Sequence, residues 1–171
     1  IITFNTELGN AQRIIIENYL AAKYGFTIAD DYYDYQDNNS YELAGIGQVS
    51  SSDKHTTAKS GSILKVSNAS GLDDSEYLLF GHDNGQASAW SSTEIPGADT
   101  NLQRLSREWR LDETGDIGTL TLTIDTTSLP SPNTGFTSWV VWLDDDGDFS
   151  SGATQYPLIL DDSVYVYHNL D

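Results

Sequence analysis

The sequence predicts a mainly β protein, an antiparallel β-sandwich with one N-terminal α-helix and long acidic loops. Three observations predict it. Short apolar segments recur roughly every 10 to 20 residues, separated by polar loops rich in Gly, Asn, Asp and Ser. Only one stretch, near the N-terminus, carries a helical period. The aromatic residues are 10 Tyr, 5 Phe and 4 Trp, and Tyr, Thr, Val and Ile favour strands. With 171 residues the chain has the size of one domain and shows no internal repeat or linker, so 1–171 reads as a single domain. Apolar residues are 38%, which excludes a disordered composition.

The helix is read in "TELGNAQRIIIENYLAAKYG", residues 6–25. Ile15, Ile16, Tyr19, Leu20 and Lys23/Tyr24 recur at three- and four-residue spacing and define its apolar face. Asn10 or Thr6 would cap its start, and Gly25 would end it. Residues 27–40 are acidic and Tyr-rich and read as a loop. Strands are expected at 41–49, 62–68, 76–82, 106–112, 118–126, 136–144, 154–162 and 164–170. In 118–126, Leu120, Leu122 and Ile124 alternate with Thr, as a half-buried strand requires. In 136–144 the apolar centre is continuous, as in a central strand, with Trp139, Val141 and Leu143 on one face and Val140 and Trp142 on the other.

The charge narrows the function classes. Asp and Glu total 26 against 8 Lys and Arg, a formal net charge of −18. Such a field disfavours nucleic acid and anionic membrane surfaces and favours multivalent cations. Asp outnumbers Glu, and many Asp lie in loops with Gly and Asn, which suits Ca2+. There is no Cys, hence no disulfide framework and no thiolate metal site. No apolar run is long enough to span a membrane, so no membrane insertion is expected. The absence of Met, including at position 1, implies a piece of a longer chain.

Three loops carry candidate sites. In "WLDDDGDFSSGA" (142–153), Asp144, Asp146 and Asp148 stand at positions 1, 3 and 5 of a potential Ca2+ loop, with Gly147 permitting a sharp turn. Phe149 and Gln155 occupy the places where an EF-hand needs Gly and Glu, so the remaining ligands must be backbone carbonyls, water or side chains from another loop. The plainer alternative is a solvated acidic turn. In "GHDNGQASAW" (81–90), Asp83 and Asn84 offer oxygens for a share in an ion site, and Asp83, Asn84, Gly85 and Trp90 are candidates for ligand contact. The alternatives are a polar hairpin loop and a core Trp. In "DDYYDYQDNN" (30–39), Tyr32 and Tyr33 are candidates for a binding surface, or for packing beneath a solvated loop. Arg107 and Arg110 are expected to pair with carboxylates; alternatively one of them clamps a ligand carboxylate. "LDDSE" (72–76) reads as a turn.

Catalysis has little support. His55, His82 and His168 lack zinc-ligand spacing, and there is no nucleophile elbow or phosphate loop. No enzyme activity is expected.

"RIIIENYLAAKYGFTI", "AGIG", "LLFGHDNG", "REWRLDETGDIGTLTLTID" and "DDDGDFSSGA" follow one another in an order that resembles a domain of very large, multi-domain surface proteins of marine and Bacteroidetes-type bacteria. The chain is also similar to the ligand-binding, or peptide-binding, domains of RTX adhesins. The resemblance covers nearly the whole chain, and "REWRLDETGDIGT" is its most specific part. It implies a sandwich with long Ca2+-binding loops that binds a short peptide, through its C-terminal carboxylate, on another cell. An extracellular, monomeric module on a bacterial surface follows, with Ca2+ as cofactor. A Ca2+-dependent carbohydrate-binding module and a structural spacer are the alternatives. The sequence departs from the family after "AGIG", where the loop "QVSSSDKHTTAKS" replaces a basic-then-acidic segment, and no site is carried onto that loop.

Overall fold

The computed structural model describes residues 2–171. Among them lie one α-helix, α1 (Asn10–Tyr24), and thirteen strands. These are β1 (Tyr41–Ser50), β2 (Asp53–His55), β3 (Thr57–Ser60), β4 (Leu64–Ser67), β5 (Glu76–His82), β6 (Trp90–Ser91) and β7 (Arg104–Leu105). Then follow β8 (Trp109–Thr114), β9 (Leu120–Ile124), β10 (Val140–Leu143), β11 (Thr154–Pro157), β12 (Ile159–Asp161) and β13 (Val164–Leu170). A four-stranded sheet in the order β2-β1-β5-β8 packs on a five-stranded sheet in the order β12-β13-β9-β4-β3, and every pairing is antiparallel. The protein is a mainly β sandwich with one helix at its N-terminus.

Strand β5 explains the layering. Its apolar residues are continuous because it is buried on both faces. Leu78 and Phe80 enter the core between the sheets with Ile46, Val66 and Leu122, whereas Tyr77 and Leu79 face Ile14 and Ile15 of α1. "AGIG" in β1 follows from the same geometry. A Cβ on Gly47 would enter the Tyr77 ring, and one on Gly45 would enter Leu79, so both glycines make room for the helix-facing side chains of β5.

The helix face is rotated by one residue from the expected stripe. Ala11, Ile14, Ile15, Asn18 and Ala21 are buried, while Tyr24 is exposed. The period alone missed Asn18, which is buried because it holds the 27–40 loop. Its amide donates to the Ile14 carbonyl (2.9 Å) and the Asp30 carbonyl (2.8 Å), and its Oδ1 accepts from the Tyr32 amide (2.8 Å). The start of the helix is also corrected. Neither Asn10 nor Thr6 caps it; Gly9 is the N-cap, without a side-chain cap of its own. The first-turn amides of Asn10 and Ala11 donate instead to the Asp53 carboxylate of β2 (2.8 and 3.2 Å). Those bonds hold the Asp53 carboxyl below its usual range. Gly25 closes the helix in the left-handed region, as expected (φ 68°).

Three other segments differ from expectation. "QVSSSDKHTTAKS" is not a free loop. It supplies the end of β1, β2 and edge strand β3, in which Ala58 and Ser60 turn inward and Thr57 and Lys59 outward. The segment 136–144 is not a central strand; only Val140–Leu143 is extended, and it pairs with β11 alone. The segment 154–162 breaks into β11 and β12 at Pro157, which has no amide to continue a ladder, and the chain changes sheet there.

Two outcomes follow from these contacts. Asp53→Ala lowers the melting temperature and weakens the helical signal in circular dichroism, since it strips acceptors from two helix amides. Asp125, held by Thr127 first and by Lys59 (2.9 Å), has its carboxyl lowered to about 2. A depressed carboxylate stabilises the fold above its unfolded pKa of about 3.9, and that contribution is lost as pH falls toward the folded value. The melting temperature of Asp125→Asn therefore lies below wild type at pH 6, and the gap closes between about pH 4 and about pH 2.

Candidate functional site

The acidic loop after β10 is satisfied from within. Asp144 Oδ1 accepts from the amides of Asp146 and Gly147 (both 2.9 Å), Asp146 Oδ1 from Asp148 (2.8 Å), and Asp148 Oδ1 from Ser150 (3.0 Å). These successive Asx turns explain both the 1-3-5 spacing and Gly147, whose φ is 84°. The Asp146 amide holds Asp144 below the usual carboxylate range, and the Ser150 hydroxyl does the same for Asp148. Among the described residues, no group of three His, Asp or Glu side chains is placed to hold a metal ion. Each Asp turns one oxygen to its own backbone.

Asp83 and Asn84 have their own local roles. Asp83 Oδ1 accepts from the amides of Gly85 (2.8 Å) and Glu108 (3.0 Å), fastening the end of β5 to the segment before β8. Asn84 stands in the left-handed region (φ 64°), and its amide donates to Nδ1 of the buried His82 (3.0 Å). That bond leaves Nε2 as the protonated ring nitrogen, which donates to Glu42 (2.9 Å). Gly85 is required by close approach, since a Cβ there would enter the Ser106 carbonyl. Tyr33 is core and not surface: it is 1% exposed, and its hydroxyl donates to the Asn39 carbonyl (2.8 Å). Tyr32 stacks on Tyr77 at 4.5 Å between ring centres.

The two arginines of "REWRLD" also differ from expectation. Neither forms an ion pair among the described residues, whereas Arg104 pairs with both Glu94 and Glu108. Arg110 lies over the Tyr35 ring (4.2 Å) and donates to the Tyr35 hydroxyl (2.9 Å) and the Asp145 carbonyl (3.1 Å). Arg107 Nε donates to the Gly85 carbonyl (3.0 Å).

What the structure assembles is an apolar cavity of about 230 Å3. It lies where the β10–β11 hairpin and the β6–β7 ribbon fold against β4, β8 and β9. Trp90, Trp139, Trp142, Phe136, Phe149 and Leu105 line it, with Arg104, Arg107 and Glu108 as its charged groups. Trp90 is fixed by its indole N–H, which donates to the Ser131 carbonyl (3.0 Å), and it meets Trp139 at 5.4 Å with the rings tilted by 59°. Burial pushes the Glu108 carboxyl up, and that effect exceeds the opposing pull of Arg104.

Of the residues singled out in the sequence for ligand contact, Trp90 lines this cavity, as does Arg107, which was offered as an alternative clamp for a ligand carboxylate. Trp139 and Trp142 were visible only as strand residues. Phe136 opens a segment read as a strand, Leu105 lies just before another, and Phe149 follows the acidic turn.

The model of the family described as Domain of unknown function (DUF8202) matches residues 45–171. The chain belongs to this family, and the matched span contains every residue that lines the cavity. No curated protein and no solved structure matches the chain.

The local role of Asp83 makes a direct prediction. Asp83→Ala leaves two amides without their acceptor and destabilises the fold by about 1–3 kcal/mol. Chemical denaturation should return the same difference in millimolar Ca2+ and in EGTA; a difference present only in Ca2+ would make Asp83 an ion ligand instead.

Proposed function

We propose that this DUF8202-family chain is a non-catalytic ligand-binding module of a bacterial surface protein, which takes an apolar group of a peptide or protein ligand into the Trp-lined cavity. The observation that carries the reading is the cavity itself. An apolar cavity of about 150 Å3 admits a benzene ring, so about 230 Å3 suits one indole- or phenyl-sized group. Pockets for whole drug-sized molecules are larger, about 300–1,000 Å3. A single inserted side chain, with the rest of the ligand outside, matches the size. Its walls are rigid aromatic side chains of the kind that anchor binding hot spots.

A glycan fits less well. Sugar stacking needs an open, flat aromatic face, whereas Trp90 and Trp139 are half-buried and tilted against each other. The reading needs no ion at the binding step. A second reading keeps Ca2+ at the 144–148 loop as a structural ion. One observation favours it: Phe149, adjacent to Asp148, lines the cavity, so an ion ordering that loop would also order a wall of the site.

Calorimetric titration with indole tests the first reading. Saturable binding is expected, weakened at least about ten-fold in Trp139→Ala, abolished in the cavity-filling Leu105→Trp, and unaffected by EGTA. Absence of saturable binding to a folded wild-type protein rejects it. The second reading expects millimolar Ca2+ to raise the melting temperature by mass action, and an unchanged melting temperature ends it.

A further inference from the structure

We infer that Arg107 reads a carboxylate on the ligand seated in the cavity, which makes the ligand class an apolar body carrying a free carboxylate. The inference rests on the cavity reading and deepens it. Three charged side chains line the cavity, and two of them neutralise each other: Arg104 Nη1 lies 2.7 Å from Glu108 Oε1, and Arg104 also pairs with Glu94. Arg107 is left. Its Nε donates to the Gly85 carbonyl (3.0 Å), which fixes the guanidinium, and no carboxylate pairs with it among the described residues. Glu42, which approaches Gly61 as Arg107 does, commits its Oε2 to His82 Nε2 (2.9 Å).

An unpaired guanidinium is unexpected in a chain with 26 acids and 8 basic side chains. Carboxylates are abundant, yet none closes on this cation, and its neighbours on the cavity side are apolar and aromatic. A half-buried guanidinium beside an apolar wall favours a ligand that brings both an anion and an apolar group, since a charge-assisted bond formed there is stronger than a neutral one. The rest of the protein repels anions, so preference for an acid over its neutral amide must arise locally.

The source of the carboxylate is either a small free acid or the C-terminus of a peptide. Calorimetric titrations at about 150 mM salt, where screening limits long-range repulsion to about 8 Å, compare 3-indolepropionate with its primary amide. They also compare a peptide ending in a free C-terminal Trp with its amidated form. The acid is expected to bind at least about ten-fold more tightly than the amide. Arg107→Gln, which keeps a donor for Gly85, should bring acid and amide to within about two-fold, and Arg107→Lys should keep a reduced preference. A parallel preference in the peptide pair identifies a chain end as the source; a preference confined to the small acid identifies a free metabolite-sized acid. Equal binding of acid and amide to wild type overturns the role of Arg107 and leaves the cavity reading standing. A preference that survives in Arg107→Gln also overturns it. Binding of neither compound overturns both. Should Arg107→Gln fail to fold, the acid-to-amide ratios of wild type and Arg107→Lys decide.

Discussion

The fold depends on β5 being buried on both faces. A strand in that position needs apolar residues at successive positions, a layer on each side, and neighbours that accommodate its side chains. "YLLF" meets the first requirement. The second sheet and α1 supply the layers, through Leu78 and Phe80 on one side and Tyr77 and Leu79 on the other. Gly45 and Gly47 meet the third, because any side chain there would occupy the space of Leu79 and Tyr77. The helix is thus an outer layer of the sandwich and not an appendage. Its attachment is polar at two points, Asn18 to the 27–40 loop and Asp53 to the first helical turn. Polar bonds fix position where apolar packing alone would tolerate sliding.

The cavity has a related origin. Short elements, the two-residue strands β6 and β7 and the hairpin β10–β11, form two-stranded sheets of their own and join neither main sheet. Large aromatic side chains bridge the gap between these pieces and the core, but planar rings meeting at 59° (Trp90 and Trp139) and 39° (Trp139 and Tyr165) cannot fill it without voids. Protein interiors are ordinarily close-packed. A void walled by Trp and Phe therefore suits an incoming group better than it suits the resting core.

Much of the architecture was legible in the sequence. The boundaries of β5 and β13 coincide with 76–82 and 164–170, and the Leu-Thr alternation of β9 reads directly. The rest was hidden for identifiable reasons. β2 and β3 carry Asp, Lys, His, Thr and Ser, because edge strands present polar residues to water, so period and hydropathy were both weak. The helical stripe was misplaced by one residue because its central buried position is Asn18, which a hydropathy reading places on the surface. The continuous apolar run of 139–143 suggested a central strand, whereas all five residues line the cavity and Val141 and Leu143 also pack on the core. The site was the least legible part, since its walls come from six strands and the loops between them, and no local motif records their convergence.

The acidic loop shows how one spacing serves two structures. Asp144, Asp146 and Asp148 each bind an amide two residues onward, and that pattern produces the alternate spacing a Ca2+ loop also requires. Spacing therefore cannot separate an Asx-turn ladder from an ion cradle, because both use alternate Asp oxygens. The cations discriminate better because they are few. In a protein of net charge −18, pairing is the default for an arginine, and Arg104 follows it with two glutamates. Arg110 is held by a tyrosine and a backbone carbonyl, which gives it a structural role between the 27–40 loop and the acidic loop. Among the described residues Arg107 has only the Gly85 carbonyl as a partner, on the wall of the aromatic cavity. An anion brought by a ligand would find there a charge that the protein's own carboxylates leave unpaired.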